Sequence, residues 1–208
     1  MIELIISFVI SFGLLIVAMS VHEFAHGWTA YKLGDMTAKY SGRLTLNPLA
    51  HIDPFWTLLL PLFLFISTAG HFVFGAAKPV PINYWSLKNP RRDMVLIGLS
   101  GPLSNFIFAL ILAQIVNVFG PSGIVSFLLV RLILINVVLG VFNLIPIPPL
   151  DGSRIFMSLL PQGLADRFSR LEPVAFIILL ALLWMGAIDY ILWPVVGFIL
   201  RLLRVGMA

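Results

Sequence analysis

The stretch SVHEFAHGWTA, residues 20–30, sets His22, Glu23 and His26 in an H-E-x-x-H array. On a helix, residues four apart lie about 40° apart in projection, so the two imidazoles face one point. Neutral imidazole is a good ligand for Zn²⁺, which in catalytic sites commonly takes three protein ligands and a water. Glu23 stands beside the first His, where it can take a proton from that water. The three positions alone are a weak signal, matched by chance in soluble proteins. Here they close a run of some twenty apolar residues. Two His and a Glu at the inner end of a spanning helix must be solvated, paired or metal-bound. The competing reading is a structural or pH-responsive polar cluster.

The third ligand must come from elsewhere in the chain. There is no Cys, so thiolate zinc sites and disulfides are excluded and the ligand is His, Asp or Glu. Asp151 in PPLDGSR is the preferred candidate. It follows a helix broken by Pro146, Pro148 and Pro149, and Gly152 frees the backbone beside it. Taken alone, Asp151 also reads as an ordinary helix N-cap. Asp53 in HIDP is the competing carboxylate, placed in a loop.

The elements that must position these residues are apolar. The chain has 208 residues, of which 60% are hydrophobic and 11% charged, with a mean hydropathy of +1.05. Soluble domains average about 25% charged. This composition implies an all-α polytopic membrane protein, a single domain over 1–208, with about five to six membrane segments. Clear spans fall at about 4–31, 93–119 and 124–145. Two further apolar segments fall at about 173–187 and 190–204. Cleavage of residues 1–20 as a signal peptide is disfavoured, because MIEL carries no basic start.

The net charge of +4 is scattered among hydrophobic segments and is no nucleic-acid footprint. It works better as a topology marker. With the N-terminus outside and the C-terminus in the cytoplasm, every Lys and Arg except Arg131 can be cytoplasmic. The region 55–82 is then flanked by basic loops on both sides. A re-entrant hairpin satisfies that constraint, with 55–70 dipping in and 71–82 returning as extended, β-like chain near the site. A full crossing with an extended return is the alternative. Non-helical backbone at membrane depth survives only where protein or a wet cavity covers it.

Three motifs in order, His22-Glu23-x-x-His26 on the first span, GPLSN (101–105) on the next and NLIPIPPLDG (143–152) ending the third, resemble the site-2 protease family of intramembrane zinc metalloproteases. GRLTLNPLAHIDP and FGAAKPVP resemble its compact bacterial and archaeal branch, without PDZ or CBS modules. The resemblance implies one Zn²⁺ per chain held by His22, His26 and Asp151, with Glu23 as general base. It maps Asn143 onto the family's asparagine eight residues before the aspartate, a donor to the oxyanion; its other reading is a cap for backbone freed by the prolines. It also implies that Phe74, Gly75, Ala76 and Ala77 hold unwound substrate, a transmembrane protein taken from the bilayer. His51 and Asn105 are accessory candidates. His51 could bind zinc in a resting state, hold a carboxylate or order its loop; Asn105 could bond a neighbouring helix. The rival functions are a transporter with His and Asp lining an ion path, and an inactive scaffold. No inverted repeat supports the first, and the filled catalytic positions disfavour the second.

Overall fold

A computed structural model describes residues 2–205; Met1 and 206–208 of the expected domain lie outside them. Among the described residues, three helices are long and apolar enough to cross a membrane: α1 (Ile2–Lys32), α4 (Pro90–Phe119) and α5 (Gly123–Asn143). At about 1.5 Å per residue, the 31 residues of α1 reach roughly 46 Å, more than the roughly 30 Å hydrocarbon core of a bilayer. Between α1 and α4 lie the short helices α2 (Thr37–Tyr40) and α3 (Leu60–Ser67). Beyond α5 come α6 (Asp151–Leu159), α7 (Gln162–Ser169), α8 (Glu172–Trp184) and α9 (Asp189–Leu202).

α1, α4 and α5 pack against one another, α6 lies on α4, and α9 on α5. Lipid is as apolar as leucine, so association inside a membrane relies on close packing and interhelical hydrogen bonds rather than on water exclusion. The contacts follow that rule. Ala109 and Ala113 of α4 are fully buried against the Ile133 and Val137 face of α5. Gly140 of α5 accepts the Phe106 ring, whose Cε1 would stand 2.7 Å from an added Cβ. Large apolar side chains such as Ile66, Val118 and Phe119 point outward. That is wrong for water and right for lipid.

Arg131 lies within α5, where a cation costs about 2.5–3.5 kcal/mol on insertion scales. Its Nη2 donates to Ser7 Oγ of α1 at 2.8 Å, and its guanidinium lies 5.3 Å from the Phe127 ring centroid. With Ser7 beside Arg131, and Leu15 and His22 sharing a cavity with Leu139 and Asn143 further along, α1 and α5 run parallel.

The apolar stretch expected at 55–70 opens as a wide π-type turn, Pro54–Leu59, and continues into α3. The chain then reverses. Residues 72–83 come back as a strap: the Ala76 amide donates to Trp56 O at 3.1 Å and the Lys78 amide to His51 O at 2.9 Å. No strand occurs among the described residues, so the β-like loop takes the form of irregular chain. The reason is chemical. Pro79 and Pro81 have no amide hydrogen, and a ladder cannot run through them.

α8 and α9 are bent by 73° at the break between them, where Gly186 takes φ +68°. Counting this pair as one broken span gives four crossings by length and composition. The expected five to six segments are reached only by counting α3, α8 and α9 as separately inserted pieces.

Candidate metal centre

Three donors from two distant parts of the chain meet at the end of the α1–α5 bundle. His22 Nε2 lies 2.9 Å and His26 Nε2 3.1 Å from Asp151 Oδ2, and the two Nε2 atoms are 3.0 Å apart. All three side chains are buried. Their convergence has a local cause at each end. The i, i+4 spacing on α1 aligns the imidazoles. After α5 the chain folds into a tight turn, with Ile147 N to Ile145 O at 2.8 Å and Leu150 N to Ile147 O at 3.0 Å, and delivers Asp151 to the first turn of α6. A carboxylate is favoured there by the helix dipole. Residue 152 must be glycine, because a Cβ would overlap the Leu144 and Ile145 carbonyls.

The ring tautomers follow from the outer partners. His22 Nδ1 is 2.6 Å from Asn105 Oδ1. The Asn105 amide donates to Ala18 O at 3.2 Å and to Asn136 Oδ1 at 2.8 Å, so both its hydrogens are spent and its oxygen only accepts. The Nδ1 of His22 therefore carries the proton. His26 Nδ1 donates likewise to Ile97 O at 2.7 Å. Both Nε2 atoms turn their lone pairs towards a carboxylate oxygen. Three such atoms at these distances need positive charge among them.

Residues fit a divalent cation on a second count. A Cβ on Gly101 would lie 2.6 Å from His22 Nε2 and also against His26 Nε2, so glycine keeps that space open. Two neutral imidazoles and a carboxylate, each oriented from behind, are the donor set of a three-ligand zinc site.

The group opens onto a cavity of about 730 Å³ lined by Glu23, Asn143, Phe74, Gly75, Ala76 and Ala77 among others. Glu23 Oε2 accepts from the Val80 amide at 2.8 Å. Asn143 Nδ2 donates to Leu139 O at 3.0 Å, which leaves its second amide hydrogen. Of the residues singled out from sequence, two stand apart. Asp53 caps the Pro54–Leu59 turn, accepting from the Phe55 and Trp56 amides. His51 bonds Thr45 O at 2.8 Å through Nε2, its Nδ1 is buried without a partner among the described residues, and it does not line the cavity. Asn105 joins helix to helix as expected and also holds His22. Sequence reasoning gave Gly101 no role of its own within GPLSN and passed over Asn136, although Asn136 is as isolated in its apolar run as Asn105.

The sequence profile of peptidase family M50 matches residues 118–186. YwhC of Bacillus subtilis, by name a candidate zinc metalloprotease, is 42% identical over 193 residues, covering 88% of this chain and 84% of its own. The chain belongs to peptidase family M50, the site-2 proteases. Rip2 of Mycobacterium tuberculosis, also a candidate zinc metalloprotease by name, is 37% identical over 139 residues, 66% of this chain and 52% of that protein. The zinc metalloprotease MJ0392 of Methanocaldococcus jannaschii is 32% identical over 152 residues, 73% of this chain and 34% of that one. No solved structure matches. This M50 protein is thus a zinc metallopeptidase with helices long and apolar enough to span a membrane, and among its described residues His22, His26 and Asp151 form a group that could hold the ion. The profile match takes in Asn143 and Asp151, whereas the H-E-x-x-H array lies before it.

Proposed function

We propose that this protein is an intramembrane endopeptidase that cleaves peptide bonds within or near transmembrane helices of other membrane proteins, as in regulated intramembrane proteolysis. The observation that carries the reading is the His22–His26–Asp151 triangle placed at the end of three membrane-length helices and open to the cavity beside Glu23. His22, His26 and Asp151 hold the zinc. When bound, zinc supplies a Lewis acid for the scissile carbonyl and the attacking water.

A peptide bond in a transmembrane helix is doubly protected, by exclusion of water and by its own helical hydrogen bond. The strap answers the second problem. Ala76, Lys78 and Val80, alternate residues, give their amides inward to Trp56 O, His51 O and Glu23. Gly75 and Ala77 have backbone groups without partners among the described residues, and both line the cavity. An unwound substrate segment adds there, its main chain bonded to Gly75 and Ala77 beside Phe74 and Ala76, with Pro79 ending the register because it has no donor. Such pairing tolerates varied side chains.

Glu23 then takes a proton from the attacking water as its oxygen bonds the carbonyl carbon, and delivers it to the amine as the C–N bond breaks. The second Asn143 amide hydrogen donates to the carbonyl oxygen as charge develops on it. By the distribution of Lys and Arg, the N-terminus is outside, the site opens towards the cytoplasm, and 55–82 is a re-entrant hairpin. Glu23→Gln tests the assignment with the whole chain in lipid vesicles and a single-span substrate. Zinc stays bound and cleavage is lost; cleavage at the unaltered rate removes Glu23 as the base.

A further inference from the structure

Arg131 is not used by the chemistry above. It is partly buried in α5, its only hydrogen-bond partner is the Ser7 hydroxyl, and no carboxylate lies within ion-pair distance of it among the described residues. It lines a second cavity of about 470 Å³ between α1, α3, α5 and α9. The walls are apolar: Phe8 stacks on Phe12 at 5.6 Å and on Phe65 at 4.1 Å between ring centroids. This groove adjoins the catalytic cavity. Leu15 of α1 and Leu139 and Phe142 of α5 line both.

We propose that the groove seats the part of a substrate's membrane segment remote from the scissile bond, and that Arg131 selects substrates carrying an Asp or Glu there. An ionised arginine within a span calls for an anionic partner, and no carboxylate of the described residues pairs with it: Glu3, one turn before Ser7 on α1, is exposed and makes no ion pair with it. The groove's position beside the catalytic cavity, with three wall residues in common, favours a substrate segment over a lipid. A chain whose scissile bond lies beside Glu23 and which leaves along α1 and α5 passes within reach of the guanidinium. A charge-assisted bond formed away from water selects for its partner strongly.

The geometry also fixes a spacing. Ser7 and Glu23 are sixteen positions apart on α1, about 24 Å. A substrate helical throughout covers that in about 16 residues, and one unwound for three residues at the site in about 12. The acidic residue therefore belongs about 12–16 residues from the cleaved bond.

The inference rests on the proposed intramembrane hydrolysis, and one experiment separates the two. The unaltered enzyme in phosphatidylcholine vesicles is given single-span substrates with Asp, Asn or Lys scanned along the remote half. Expected is a kcat/KM about tenfold higher for Asp than Asn within the 12–16 window and a lower one for Lys. R131Q lowers the Asp rate to that of Asn, and R131E turns the preference to Lys; zinc content verifies that each variant is folded. Cleavage that ignores the scanned charge overturns the inference and leaves the hydrolysis standing. A dependence on Arg131 that appears only with added phosphatidylglycerol, equal for all substrates, makes the occupant a lipid and also overturns it. If no substrate is cleaved, the proposed function fails and the inference falls with it.

Discussion

The Val80 amide donates to the Glu23 carboxylate at 2.8 Å, across 57 positions of sequence. Val80 stands between Pro79 and Pro81, so its amide is the only donor in that tripeptide. Its side chain packs one turn further along α1, where a Cβ on Gly27 would meet Val80 Cγ1 at 3.3 Å. The strap is thus pinned to the helix that carries Glu23, and the carboxylate is aimed by the strap in return.

Removing that hydrogen while keeping the side chain isolates the effect. An amide-to-ester replacement at Val80 is expected to lower kcat about tenfold, the scale of a hydrogen bond to a charged acceptor, with zinc content unchanged. Steady-state kinetics beside metal analysis measures both. An unaltered kcat shows that Glu23 does not depend on the strap.

Gly101→Ala probes the space before the imidazoles. Alanine is about 1 kcal/mol better than glycine in a helix interior, so α4 itself is not weakened by the change. The added methyl nevertheless falls against both Nε2 atoms. Zinc binding is expected to be lost while helical circular dichroism persists. Full zinc occupancy in this variant would show that the ion sits elsewhere.

Val80 and Gly101 mark the limit of what the sequence made legible. His22, Glu23 and His26 could be placed because helix geometry alone decides who faces whom at i and i+4. Asp151 could be placed because three prolines force a break just before it. The strap was harder: its amides go to Trp56 O, His51 O and a side chain, and none of those partners is implied by local pattern. Gly101 reads like any small residue at a helix contact until the neighbouring helix is in place. Asn136 likewise reads as one more interhelical amide, and only its bond to Asn105 ties it to His22. The bend between α8 and α9 depends on Gly186 at positive φ, a choice that glycine permits but does not dictate.

Asn105 orients His22 from behind, and outer partners of this kind are typically worth about 10–100-fold in metal affinity. Asn105→Ala is expected to weaken zinc binding by that factor, measured by competition with a chelator. Asn105→Asp, which keeps an acceptor at Oδ1, is expected to retain more of it. Equal and undiminished affinity in both would leave Asn105 a packing residue only.

The convergence of His22, His26 and Asp151 on one ion is tested most directly by zinc affinity in Asp151→Ala, with the whole chain in detergent. Loss of one of three protein ligands should lower the affinity by at least about 100-fold, with the helical content retained. Zinc held as tightly as in the unaltered protein would contradict the account.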